Sequence, residues 1–287
     1  MKKFIGLQGN NRSHWVGDGF PVRTLFFYQH LGKQMSPFLM LDYAGPHPFE
    51  PTSEKKGVGS HPHRGFETVT IVYEGEVSHK DSTGEGGTIG PGDVQWMTAG
   101  AGILHEEFHS ERFAQDGGIL DMVQLWVNLP AKSKMTPPSY QAILNQQIPT
   151  VDLDNNAGSA RIIAGKLGLA HGPAKTYTPM NVIDFRFKKG STVTLDASEG
   201  WNTSLVVLKG ALEATDGSKA TDAQMLMFST SGQDIQITAL EDSVALLLSG
   251  EPINEPIVGY GPFVMNSQDE IVQAVDDFNS GKFGLIA

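Results

Sequence analysis

Two stretches of this 287-residue chain, 135 positions apart, can be laid one over the other. In "ETVTIVYEGEVSHKD" (67–81) and "NTSLVVLKGALEATD" (202–216), Thr68 meets Thr203, Val72 meets Val207, Gly75 meets Gly210 and Asp81 meets Asp216. Each reads as strand, turn, strand: a run rich in β-branched and apolar residues stops at a glycine and resumes. Further on, "DVQWM" (93–97) matches "DAQML" (222–226) once the intervening loop is shortened by six. A match that recurs in order predicts two β-rich domains of one architecture. The segments "AKSKMTPPSY" and "DLDNNAGSA", around residues 135–160, read as linker and loop. The expected domains are therefore 1–135 and 136–287.

The rest of the chain agrees with a β-rich reading. "TIGPGDVQWMTAG", "DMVQLWVNLP", "VIDFRF", "AQMLMFST", "DIQITAL" and "SVALLLSG" are further strand candidates, and 33 Gly and 16 Pro supply tight turns. Helical periodicity is scarce except near the C-terminus. There Ser267 and Glu270 form a capping-box pattern, Ile271, Val275 and Phe278 recur at helical spacing, and Gly281 follows as a stop. This predicts a short amphipathic helix packed on a sheet.

Composition removes several function classes. Hydrophobic residues make up 39% and charged residues 18%, enough to bury a sizeable core. A net charge of -11 opposes direct contact with nucleic-acid phosphates. The N-terminus lacks the apolar centre of a signal peptide, and no apolar run reaches membrane-spanning length, so a soluble cytoplasmic protein is expected. With no cysteine, any metal must be held by His, Asp, Glu or backbone oxygen.

Two short motifs carry that chemistry. In "HPHRGFE", His61 and His63 are two apart, so on a strand they share a face, and Pro62 places them at an edge or bulge. Glu67 shares that face if the strand continues, although Arg64-Gly65 can introduce a bulge and break the register. In "TAGAGILHEEFHS", His105 and Glu107 are again two apart, after glycines that let backbone pass close to a crowded site. Three imidazoles and one carboxylate suit a mononuclear divalent metal: iron, nickel, manganese, copper or zinc. Spacing alone leaves both Glu67 and Glu107 open as the carboxylate. His109 reads as a surface or supporting residue, His79 as part of a hairpin loop, and Trp96, Met97 and Trp126 as core. His14, His30, His47 and His171 have no partners in sequence, and the lone G-x-G triplets lack the strand–helix context of a dinucleotide loop. At the offsets of the repeat, His61, His63 and Glu67 fall on Asp196, Ser198 and Asn202, and His105 and Glu107 fall on Asp234 and Gln236. Metal chemistry is therefore expected in the first half only.

These motifs, with "FLMLDYAGP", "QLWVNLP" and "NEPIVGYGPFVMN", resemble the pirin family of bicupins from about Phe38 to the C-terminal helix. The resemblance implies an all-β fold of two cupin-type β-barrels with a short C-terminal helix. One metal, foremost Fe(II), would sit in the N-terminal barrel on His61, His63, His105 and Glu107, leaving Glu67 as a supporting or core-facing residue. It also implies quercetin 2,3-dioxygenase activity, with a flavonol-like aromatic substrate, dioxygen, and Glu107 as ligand or general base. The main alternative it implies is a non-enzymatic, metal-dependent regulator that binds a transcription factor or metabolic enzyme. A third is a cupin that stores or senses a metal or small molecule.

Overall fold

The computed structural model describes residues 1–286 and divides into two compact units. One comprises 12–24, 40–145 and 254–287, the other 1–11, 25–39 and 146–253. Each unit is thus assembled from separated parts of the chain.

The unit that carries the histidine motifs is built from two antiparallel sheets. Its four-stranded sheet runs, in spatial order, Gly57–His63, Ile103–His109, Val77–Asp81 and Gly86–Ile89. A seven-stranded sheet runs Ser139–Ile143, Val94–Thr98, Phe66–Glu74, Gly118–Asn128, Phe38–Phe49, Phe20–Phe27 and His14–Val16. Strand side chains alternate faces, and here they line a shared lumen. Its apolar part comes from Val72, Val77, Ile89, Phe113 and Met122, all buried in one cluster.

The other unit repeats the plan. Its four-stranded sheet runs Thr192–Asp196, Asp234–Ala239, Ala211–Ala214 and Lys219–Thr221, in the same relative order, and it too has a seven-stranded sheet. Gly75 and Gly210 take φ of 86° and 89° at equivalent turns, a conformation that favours glycine. The repeat read from the sequence is therefore a repeat of structure, and the chain is all-β with two cupin domains.

The lumen of this second unit is filled. Phe185 and Phe187 stack at 5.0 Å among Leu195, Leu205, Leu226 and Ile235. Asp196 and Asp234 oppose one another directly, as His61 and His105 do in the first unit. Asp196 is exposed, and the neighbouring pair, Leu195 and Ile235, takes the lumen instead.

The expected C-terminal helix forms at Gln268–Asn279 with the Ser267–Glu270 capping box. It groups with the strands of the first half of the chain rather than with those of 146–253. Ile271 and Ala274 pack with Phe263, Met265 and Phe283, against which Leu104 also rests. Val275 is only partly buried and Phe278 is 37% exposed, so the buried stripe is narrower than the periodicity predicts. Among the described residues, no helix is long and apolar enough to cross a membrane.

Candidate metal centre

The local backbone explains how "HPHRGFE" is used. The strand holding His61 and His63 ends at His63, and a new one begins at Phe66 in the other sheet. Gly65 makes the break at φ 88°, where a Cβ would lie 2.0 Å from the Val264 carbonyl oxygen. Glu67 therefore does not continue the histidine face. It stands opposite Thr98, whose Oγ1 donates to its Oε1 at 2.8 Å, on the face opposite to Thr70.

His105 pairs directly with His61 across the neighbouring strands, and His63 is opposite Ile103. The ring of His105 lies 4.3 Å from that of His61 and 4.8 Å from that of His63, between centroids. Ligand atoms of all three histidines fall within 4.8 Å of one another. The Nε2 atoms of His63 and His105 face each other at 3.0 Å. Two nitrogens bound at right angles to one ion, each at about 2.1 Å, stand about 3.0 Å apart, so this spacing suits a shared cation.

Electrostatics fit the same role. Burial drives both His63 and His105 well below the ordinary imidazole range. The charge of His61 adds to the effect on His63, and the Pro262 carbonyl opposes it. Neutral rings offer lone pairs, which metal binding requires. His61 is half-buried, and its Nδ1 lies 2.9 Å from the Gly59 carbonyl. A carbonyl only accepts, so the proton sits on Nδ1 and leaves the Nε2 lone pair free.

Glu107 enters the same lumen. It is 4% exposed, its Oε1 accepts from Thr70 Oγ1 at 3.4 Å, and its Oε2 accepts from Gln124 Nε2 at 3.0 Å. Burial raises its pKa; His61, then Gln124 and Thr70, pull it back. Glu67 is also buried, and burial raises it to about 7, with the hydrogen bond from Thr98 opposing. Of the two carboxylates, Glu107 is the one that feels the histidine cluster.

Other residues near the site differ from their sequence reading. His79 is not in a loop: it lies on Val77–Asp81, 5% exposed, opposite Glu107, with Nε2 2.7 Å from the Tyr140 hydroxyl. Burial holds it at about 4. Trp126 does more than fill the core, since its ring packs edge-on against His63 at 5.5 Å and lies 4.3 Å from Phe66. Trp96 and Met97 are fully buried, as read. His109 is buried, with Nε2 2.9 Å from the Gly19 carbonyl and its ring edge-on to Phe20, Phe49 and Phe113. Gln124 and Thr70 carried no motif. Alternation carried on unbroken from His61 and His63 puts Thr70 on the opposite face, and it is the break between His63 and Phe66 that brings it to Glu107.

Comparison with known proteins places the chain in a family. A family model described as Pirin matches residues 19–127, and one described as the pirin C-terminal cupin domain matches residues 182–284. The chain is 56% identical over 283 residues to a Pseudomonas aeruginosa protein named "Putative quercetin 2,3-dioxygenase PA2418", covering 99% of each. It is 40% identical to a pirin-like protein of Solanum lycopersicum, covering 96% of this chain and 90% of that one. A crystal structure described as quercetin 2,3-dioxygenase from Acinetobacter baumannii matches all of both chains, with a TM-score of 0.98 and 57% identity. Two cupin barrels, a histidine cluster in one of them, and matches that span both halves lead to one conclusion: the chain belongs to the pirin family.

Proposed function

We propose that the protein is a metal-dependent dioxygenase that opens the central ring of flavonols such as quercetin, with release of carbon monoxide. The observation that supports this most is the convergence of His61, His63 and His105, with the buried Glu107 under the influence of His61. The names carried by its 56% and 57% identical relatives point the same way.

In this reading His61, His63 and His105 hold one divalent ion, foremost Fe(II), and Glu107 is the carboxylate on the same site. Such an ion supplies Lewis acidity toward the flavonol 3-oxygen and access to dioxygen chemistry. Glu107 takes the proton of the flavonol 3-hydroxyl. Its burial makes it a stronger base than an ordinary carboxylate, and Thr70 and Gln124 hold its two oxygens in place. Trp126, set against His63, offers a flat apolar surface to an aromatic substrate. The half-buried His61 marks the open side of the cluster.

The test is direct. Purified protein is loaded in turn with iron, nickel, manganese and copper, given quercetin in air, and followed by flavonol absorbance and released carbon monoxide. Turnover with one of these metals, lost in His63→Ala, is the expected result. No turnover with any of the four overturns the reading.

A further inference from the structure

One layer of the lumen beside the candidate metal centre has incomplete hydrogen bonding. Gln95 lies directly across from Thr70, and Thr70 directly across from Gln124. The latter two both donate to Glu107, so the row of three crosses the lumen wall at the level of that carboxylate. Gln95 shares its face with Met97, which packs with Ile103 and Tyr140. Gln95 is 1% exposed, and neither Oε1 nor Nε2 has a hydrogen-bond partner among the described residues. On the facing sheet, His79 bonds Tyr140 through Nε2 while its Nδ1 is likewise unpartnered.

Buried polar groups are paired with few exceptions, because an unpaired one bears its full desolvation cost. A methionine or leucine at this position would fill the space without that cost. Two open ends on one amide therefore point to something that Gln95 binds. The amide presents an acceptor beside a donor, so its complement must donate and accept at once. A carboxylate only accepts and a cation satisfies only the oxygen. A hydroxyl group or a water molecule satisfies both.

We propose that Gln95 holds a hydroxyl-type oxygen inside the barrel at the level of Glu107, supplied by a phenolic hydroxyl of the substrate or by an ordered internal water. The substrate source rests on the flavonol reading above; the water source does not.

Equilibrium binding and crystallography test this without reliance on turnover. Gln95→Met keeps the side chain's length and removes both polar atoms. Quercetin and 3-hydroxyflavone, which lacks quercetin's other hydroxyls, are titrated by fluorescence into the metal-loaded parent and variant. A substrate hydroxyl on Gln95 raises the quercetin-to-3-hydroxyflavone ratio of Kd values about tenfold in the variant. An internal water leaves that ratio unchanged, and a high-resolution crystal structure of the metal-loaded parent shows the water on Gln95. The proposal is overturned if the ratio is unchanged and crystals of the parent, with and without quercetin, show no oxygen within hydrogen-bond distance of the amide. The crystals of the parent decide even if the variant fails to fold. A parent that binds quercetin yet never opens its ring counts against the dioxygenase reading alone.

Discussion

At the scale of single residues, two buried carboxylates with different neighbours should behave differently. Glu67 sits with Thr98 as its hydrogen-bond donor, at about 7 against an ordinary 4.5. The folded chain keeps a proton there that the unfolded chain releases. Stability from this group is therefore fully present below pH 4.5 and is lost as pH rises through about 7. The full difference is on the order of 3 kcal/mol. Glu67→Gln keeps an acceptor for Thr98 and cannot ionise. Its Tm should match the parent near pH 4.5 and exceed it by several degrees near pH 8, and calorimetry across that range checks this. Glu107 lies among the lumen polar groups and under the influence of His61. Glu107→Gln should weaken metal binding at least about tenfold, with Glu67→Gln close to the parent, when both are titrated with the same ion. Equal losses, or a larger loss at Glu67, would remove Glu107 from the proposed ligand set. These roles were only half legible in the sequence. The spacing of His61, His63 and His105 announced the cluster. The choice between the carboxylates turned on whether a strand continued past Arg64-Gly65, which depends on a contact with residues two hundred positions later.

At the scale of elements, the strand of His61 and His63 is fastened from its far end. Arg64, 4% exposed, donates through Nε to the Ala101 carbonyl at 2.6 Å and pairs with Asp277 of the C-terminal helix at 2.9 Å. Lys134 is buried, and its Nζ donates to the carbonyls of Gly65 and Val264 and to Asn128 Oδ1, each at 2.8 Å. Three acceptors satisfy its three protons, although burial lowers it to about 7. The Gly65 break leaves no room for a side chain. Gly65→Ala should therefore cost at least about 2 kcal/mol, read by chemical denaturation, and should weaken metal binding as well. A variant as stable as the parent would mean that the turn and the Val264 carbonyl can move apart. Asp277 is held at about 2 by Lys282 and Arg64, so its contribution is present above pH 3.8 and is lost as pH falls toward 2. Asp277→Asn should lower the Tm at neutral pH and flatten its fall between pH 4 and 2. The helix itself was legible from its capping box and periodicity. Its placement was not, because an apolar stripe states that a face is buried and not against what.

At the scale of the whole molecule, the sequence repeat proved the most informative feature, because turn glycines and strand spacing survive where site chemistry does not. The second unit carries no histidine at the positions equivalent to His61 and His105. Asp196 and Asp234 keep the pairing, but the lumen beside them is occupied by Leu195 and Ile235 in a filled apolar core. Metal titration should therefore saturate at one equivalent per chain. A saturating ion should raise the Tm, about 2.7 kcal/mol being gained at a hundredfold excess over Kd, and a chelator should reverse the shift. A second equivalent of similar affinity would contradict this assignment.

The division of the chain bears on how the protein is made. The unit with the histidine cluster draws on 12–24, on 40–145 and on 254–287. Arg64, Gly65 and Ser82 all meet groups beyond residue 262: the Asp277 carboxylate, the Val264 carbonyl and the Phe283 carbonyl. On a ribosome, the histidines emerge long before the segment that braces their strand. The earlier strands must wait for Val264, Asp277 and Phe283 to leave the exit tunnel, so the strand of the candidate metal centre is braced late, after about two hundred further residues have been made.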